Sequence, residues 1–350
     1  MFKRILVPLD GSTLAERAIP HAEQFARIFG ASIILLQVLE PTSYHENPKA
    51  IDPLSWQIRK AEADVYMQGI AARIRENLGE NALTSGEGKK SRVDYSIREG
   101  KTAENIVDFA HAENVDLLVI SSHGSGGLSR WNISSVTQKV INLIYLHVLV
   151  VRAYDPSGSV DTKIHYRRIL LPIDSSRRAE TSLSVGIALS RGETSIRKKE
   201  FETEKPISDL SSQNPKLILV AIINPPEIPI PKPYPVEIGQ LSEQLMQVSR
   251  EAVDNYLTEI KERLPVECET CLIESEGVLS AIQELVSRED IDLVILSAHG
   301  YTGQLNWPYG TVTRNYVEHG TKPVLVIQDM PRSQVQPTAA EIAAEKSGRR

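Results

Sequence analysis

The sequence predicts an α/β protein made of two tandem, open, doubly wound domains, each with a five-stranded parallel sheet. Three observations lead there. The chain repeats itself: Arg4-Ile-Leu-Val-Pro-Leu-Asp10 returns as Arg168-Ile-Leu-Leu-Pro-Ile-Asp174, and Asp116-Leu-Leu-Val-Ile-Ser-Ser-His-Gly124 returns as Asp292-Leu-Val-Ile-Leu-Ser-Ala-His-Gly300. Within each copy, short apolar runs alternate with segments of helical period, and parallel strands require such crossovers. The length of 350 residues suits two ordinary domains better than one.

The elements of the first copy follow in order. Ile5–Leu9 is an apolar run of strand length, Ala15–Phe29 has helical spacing, Ser32–Leu39 is rich in β-formers and Ser55–Leu78 is helical. Arg92–Arg98 alternates as a strand does, Thr102–Glu113 is helical, Leu117–Ser121 reads as a buried strand, Ser135–Leu143 as a helix and His147–Val151 as a last strand. The second copy gives strands near Ile169–Ile173, Leu217–Ile223, Val266–Ile273, Leu293–Ser297 and Val324–Ile327. Its helices fall near Ala179–Arg191, Glu237–Leu264, Ser280–Arg288 and Thr311–Glu318. From Asp10 to Asp174 is 164 positions and from Gly124 to Gly300 is 176, so the second copy carries 12 extra residues. They fall within about 192–216, a Lys/Glu/Ser-rich stretch without apolar period that reads as a surface loop. The expected division is residues 1–152, a linker 153–165, residues 166–328 and a polar tail 329–350.

Composition excludes several functions. A net charge of -6 and a pI near 5.8 give no broad cationic surface for nucleic acid. Apolar runs such as Ile33–Leu36 are far short of the roughly 20 residues that cross a bilayer, and no secretory pattern follows Met1, so a cytoplasmic protein is expected. Two cysteines cannot build a disulfide framework. Cys268 and Cys271 lie three apart on an expected strand, where they face opposite sides and share neither a metal nor a disulfide.

Ligands of open parallel sheets bind beyond the strand C-termini, where the strand order reverses. The informative residues follow strands accordingly: Pro8-Leu9-Asp10, Gly100, Ser121-Ser122-His123-Gly124 and Ser134-Ser135 in the first copy; Pro172-Ile173-Asp174, Gly277, Ser297-Ala298-His299-Gly300 and Gly310-Thr311 in the second. Glycines admit a polyphosphate to bare backbone, and a hydroxyl residue at a helix start adds a donor to its free amides. Asp10 and Asp174, each at the mouth of a helix, either accept from a base or cap that helix.

These motifs resemble the universal stress protein family in its tandem two-domain form, over residues 1–152 and 166–328. The resemblance implies a Rossmann-like fold of the adenine nucleotide alpha hydrolase kind. Members that bind ATP share Gly-x2-Gly-x9-Gly-(Ser/Thr), an Asp that meets the adenine, and a Val whose backbone contacts the nucleotide. Carried over, the Val position is Val38 in the first copy and Ile222 in the second. The first copy reads Ser121-x2-Gly124-x9-Ser134-Ser135 and the second Ser297-x2-Gly300-x9-Gly310-Thr311. The first glycine is serine in both, a small change whose hydroxyl can bond ribose or phosphate. Ser134 is the larger departure, since a Cβ stands where phosphate approaches backbone, so phosphate contact is expected at Gly310-Thr311 ahead of Ser134-Ser135. One residue fewer between Gly277 and the next helix alters the rim of the second base pocket.

His123 and His299 recur at one repeat position and read as turn residues bonded to backbone, not as catalysts. Trp131 and Trp307 align and are expected to pack the phosphate loop. The resemblance implies ATP, ADP or AMP as the ligand, with or without Mg²⁺, in a stress-response or signalling protein. It also implies pairing of the two domains through their last strands, with a homodimer as a further assembly. Two other readings stand beside it: an interaction module with a degraded motif that holds no nucleotide, and a slow ATPase. No P-loop is present to favour turnover.

Overall fold

The computed structural model describes residues 1–40, 53–79, 92–126, 133–154, 163–203, 215–231, 233–301 and 308–330, with the backbone alone for 197–203. The aligned tryptophans, Gly127, Gly303 and most of the polar tail lie outside the described residues. The chain forms two compact units, Met1–His165 with the C-terminal end from Met330, and Tyr166–Asp329.

In the first unit the strands are β1 (Arg4–Leu9), β2 (Ser32–Leu39), β3 (Val93–Glu99), β4 (Leu117–Ser121) and β5 (His147–Val151), in the order β3-β2-β1-β4-β5 and all parallel. The helices are α1 (Thr13–Glu16), α2 (Ala18–Phe29), α3 (Pro53–Asn77), α4 (Thr102–Ala112) and α5 (Ser135–Leu143). The second unit repeats the plan with β6 (Arg168–Pro172), β7 (Lys216–Ile223), β8 (Cys268–Glu274), β9 (Leu293–Ser297) and β10 (Val324–Ile327), in the order β8-β7-β6-β9-β10. Its helices are α6 (Thr181–Thr203), α7 (Val236–Arg263), α8 (Val278–Arg288) and α9 (Thr311–His319).

The central strands carry uninterrupted apolar runs because helices cover both faces of a parallel sheet. Ile5, Leu6, Val7, Leu117, Leu118 and Val119 are fully buried in the first unit, as are Ile169, Leu170, Leu171, Leu293, Val294 and Ile295 in the second. Each such side chain contributes on the order of 1.5–3 kcal/mol by leaving water. The start of each central strand is pinned in the same way. Asp116 accepts from the amides of Lys3 and Arg4 at 2.8 and 3.0 Å, and Asp292 from those of Arg167 and Arg168 at 2.7 and 2.9 Å.

Two expectations need correction. The single helix expected over Ala15–Phe29 is broken at Arg17 into α1 and α2. Pro20 has no N–H to give the Glu16 carbonyl, so it is accommodated only in a new first turn. The expected loop from 192 is helical as far as Thr203, since α6 runs on through Gly192. A glycine costs only about 1 kcal/mol inside a helix. The buried Glu193 carboxylate accepts from the Tyr166 amide at 3.1 Å, anchoring that turn. The rest of the stretch, 204–214, lies outside the described residues.

Candidate functional site

Each unit opens a crevice at the C-terminal ends of its middle strands. β1 and β4 pair only at Ile5 with Leu117 and Leu6 with Leu118, although β1 continues to Leu9 and β4 to Ser121. β6 and β9 pair only at Ile169 with Leu293 and Leu170 with Val294. This is the switch point, where strands on either side run to helices in opposite directions. Pro8-Asp10 and Ser121-Gly124 border it in the first unit, Pro172-Asp174 and Ser297-Gly300 in the second.

A carboxylate bridges each crevice. Asp10 Oδ2 accepts from the Ser125 amide at 2.7 Å, while Oδ1 accepts from the amide and hydroxyl of Ser12 at 3.0 and 2.6 Å. Asp174 Oδ2 accepts from the Tyr301 amide at 2.6 Å and Oδ1 from the Ser176 amide at 3.1 Å. Burial pushes the Asp10 carboxyl up, but the bonds from Ser12 and Ser125 outweigh it and hold the group below its ordinary value. The helix-capping option falls to the neighbouring serines: Ser12 Oγ accepts from the Ala15 amide and Ser176 Oγ from the Ala179 amide, each at 3.1 Å. The aspartates fix the rim, and each oxygen keeps lone-pair capacity for a base amine.

The bridge also explains two glycines. A Cβ on Gly124 would stand 2.1 Å from Asp10 Oδ2, and one on Gly300 would stand 2.2 Å from Asp174 Oδ2. The close approach read from the sequence as a phosphate's is made, at these positions, by the protein's own carboxylates. The serines before them are likewise occupied. The Ser297 hydroxyl donates to the His299 carbonyl at 2.6 Å, and Ser121 Oγ accepts from the His123 amide at 3.5 Å, rather than facing a ligand.

The histidines bond to side chains as well as lying in turns. His123 Nδ1 is 3.0 Å from Ser122 Oγ, and His299 Nδ1 is 2.8 Å from Asp329 Oδ1. Asp329, expected to begin a polar tail, is therefore part of the second unit's interior, with its side chain buried.

The two units part at the helix that follows the loop. In the first, Ser134 is the N-cap of α5: its Oγ accepts from the Thr137 amide at 3.1 Å, while its own amide donates to the Ser122 carbonyl at 2.7 Å. In the second, Gly310 donates to the Ala298 carbonyl at 2.7 Å but carries no cap, so the start of α9 is open. Nothing in the packing demands a glycine at Gly310. Its φ is -70°, and an added Cβ would meet only ordinary contacts at 3.5 and 3.6 Å.

The starts of α4 and α8 differ as well. The Thr102 amide donates to Glu40 Oε1 at 2.7 Å, closing α4 with a carboxylate from the end of β2. Bonds from Thr102 hold Glu40 below the usual carboxylate range, with Lys139 of α5 adding to the effect. The repeat offset puts Asn224 and Asn315 at the positions of Glu40 and Lys139. Gly100 has φ +120° and must be glycine, while Gly277 has φ -122° and caps α8 without a side-chain bond.

In the second unit these features surround a cleft of about 840 Å³. Of the residues expected from sequence, Pro172, Asp174, Ile222, Ser297, Gly300, Gly310 and Thr311 line it; Gly277 does not. Val220, Val278, Ile282 and Leu296 add an apolar wall beside Ile222, and Arg314, Asn315 and Glu318 of α9 add a polar one. In the first unit Val38 sits on β2, opposite Arg98 of β3. Thr137 and Thr313 were missed by sequence reasoning. Their hydroxyls donate to the carbonyls of Ser121 and Ser297 at 3.0 and 2.8 Å, tying each helix start to its strand. Their recurrence one residue beyond Ser135-Val136 and Thr311-Val312 was the available signal.

Comparison with known proteins agrees with this architecture. The sequence model of the Universal stress protein family matches residues 1–152 and 204–328. The chain belongs to that family. A universal stress protein of Methanocaldococcus jannaschii is 29% identical over 159 residues, covering 43% of this chain and 96% of that protein. A universal stress protein of Mycolicibacterium smegmatis is 22% identical over 329 residues, covering 93% of this chain and 96% of its own length, so the tandem form is shared. Among solved structures, a universal stress protein of Archaeoglobus fulgidus shares the fold at a TM-score of 0.51 and 14% identity, covering 93% of this chain and 98% of its own. Among the described residues of this universal stress protein, no helix is long and apolar enough to cross a membrane, and no group of three or more His, Cys, Asp or Glu gathers to hold a metal ion.

Proposed function

We propose that this universal stress protein binds an adenine nucleotide in its second repeat and uses it as a signalling or structural ligand in a cytoplasmic stress response. The observation that carries the reading is the cleft of about 840 Å³ with an uncapped helix start at one side and an apolar wall at the other. The volume falls within the roughly 300–1,000 Å³ of small-molecule sites. Val220, Ile222, Val278 and Ile282 suit the faces of a purine, with Asp174 placed to accept from its amine. Gly310 and Thr311 offer amides, a hydroxyl and the positive end of the α9 dipole to phosphate. Binding stabilises the liganded fold by mass action and thereby couples nucleotide level to conformation or partner choice.

The first repeat supports a different reading, that of an interaction module without nucleotide. Ser134 occupies the α5 start and Glu40 the α4 start, so the protein satisfies the amides a phosphate would seek. Titration of the full chain with ATP in a calorimeter separates the cases. Saturable micromolar binding at one equivalent per chain is expected. No heat at millimolar nucleotide would leave both repeats as interaction modules, and two equal sites would remove the distinction between them.

A further inference from the structure

One side of α9 faces the cleft with Thr311, Arg314, Asn315 and Glu318, residues three and four apart that stack along a helix face. Arg314 sits one turn beyond the open helix start, its amide donating to the Gly310 carbonyl at 2.9 Å. Its side chain is half exposed and its Nε lies 3.2 Å from Glu318 Oε1. The other Glu318 oxygen is 3.9 Å from His319 Nε2. An exposed i,i+4 pair of this kind holds by well under 1 kcal/mol, so an anion that meets the guanidinium with two oxygens can displace the carboxylate. The first repeat has Gln138 at the matching position and no such pair.

A helix start neutralises about half a charge, enough for one phosphate group but not for a chain of them. A guanidinium one turn farther along the same wall extends the positive field in the direction a phosphate chain would run. Resting on the nucleotide reading of this cleft, we propose that Arg314 is its specificity-determining residue. The guanidinium leaves Glu318 to hold the outer phosphates of a nucleoside 5′-di- or triphosphate, and Glu318 opposes occupation of the same place by lesser anions. The cleft thus selects for phosphate-chain length, with Gly310 and Thr311 serving the inner phosphate whatever the length.

The test is calorimetric titration of the full chain, wild type and variants, with ATP, ADP and AMP. In R314Q, ATP affinity is expected to fall about 10- to 100-fold, the range of one or two charge-assisted bonds, with AMP affinity changed less than about 2-fold. R314K keeps the charge but not the fork and should lie between, and E318Q should tighten ATP by a few-fold. Thermal melts of the unliganded variants report whether α9 remains folded. If R314Q melts early, the ATP-to-AMP ratio in R314K carries the test by itself. Equal losses for ATP and AMP, or no loss for ATP, overturn the role of Arg314 while leaving the nucleotide site intact. A wild-type protein that binds none of the three overturns both.

Discussion

The two repeats are close copies in framework and opposites at the rim. Both bridge the crevice with an aspartate, pack that carboxylate against a glycine, and tie the following helix to the strand through a threonine. In both, a tyrosine on the long helix donates to a glutamate near the first crossover, Tyr66 to Glu16 at 3.0 Å and Tyr256 to Glu180 at 3.1 Å. Burial and the adjacent carboxylate drive each phenol far above its usual value, so both stay protonated donors. The difference lies in who satisfies the helix starts. The first repeat uses its own Ser134 and Glu40, whereas the second leaves α9 and α8 uncapped beside a cleft. A polar group exposed on folding must be met by something, so a rim that meets its own amides has less to offer a ligand.

The strongest way to break this comparison is a matched pair of valines. Gly310→Val should weaken ATP binding about 100-fold or more, since a branched side chain fills the approach to bare backbone without disturbing the local packing. Ser134→Val should leave ATP binding unchanged and lower stability by about 1 kcal/mol through loss of a cap. Equal losses of binding at the two sites would erase the assignment of ligand to the second repeat.

A smaller effect sharpens the framework side. Gly11 has φ +83°, and its counterpart Ser175 takes φ +62°, a left-handed conformation that a side chain resists. Ser175→Gly should therefore stabilise the second repeat and Gly11→Ser destabilise the first, each by about 1 kcal/mol in urea melts. Changes of the same sign would show that the two turns are not equivalent.

The smallest effect concerns pH. Glu40 is held below its ordinary pKa in the folded protein, mainly by bonds from Thr102, so its contribution is complete above the ordinary carboxylate value and is lost as pH falls through the lower folded one. Glu40→Gln should make stability slightly less dependent on pH across that acid range. An unchanged acid limb in the variant would mean that the contact does not hold in solution.

Much of this was legible in the chain. The repeat, the alternation and the apolar runs specify two parallel sheets because periodicity and burial are local consequences of residue order. The positions of Asp10, Asp174, Gly124, Gly300, Ser134 and Gly310 at strand and helix ends were equally legible, since they follow from where the elements stop. The break at Pro20 could have been read from the missing N–H. The extension of α6 could not, because it depends on Glu193 finding the Tyr166 amide from 27 residues away.

Residue order thus determined the fold, the duplication and the list of rim residues, all set by short-range stereochemistry and hydrophobic pattern. Tertiary structure decided what those residues face. That Gly124 and Gly300 make room for a carboxylate, that Glu40 closes α4 from the end of another strand, and that Arg314 shares a wall with Gly310 are matters of distance in space. Hydrogen bonds and steric contacts act over a few ångströms, and only the folded chain brings residues more than 100 positions apart, such as Asp174 and Tyr301, within that range.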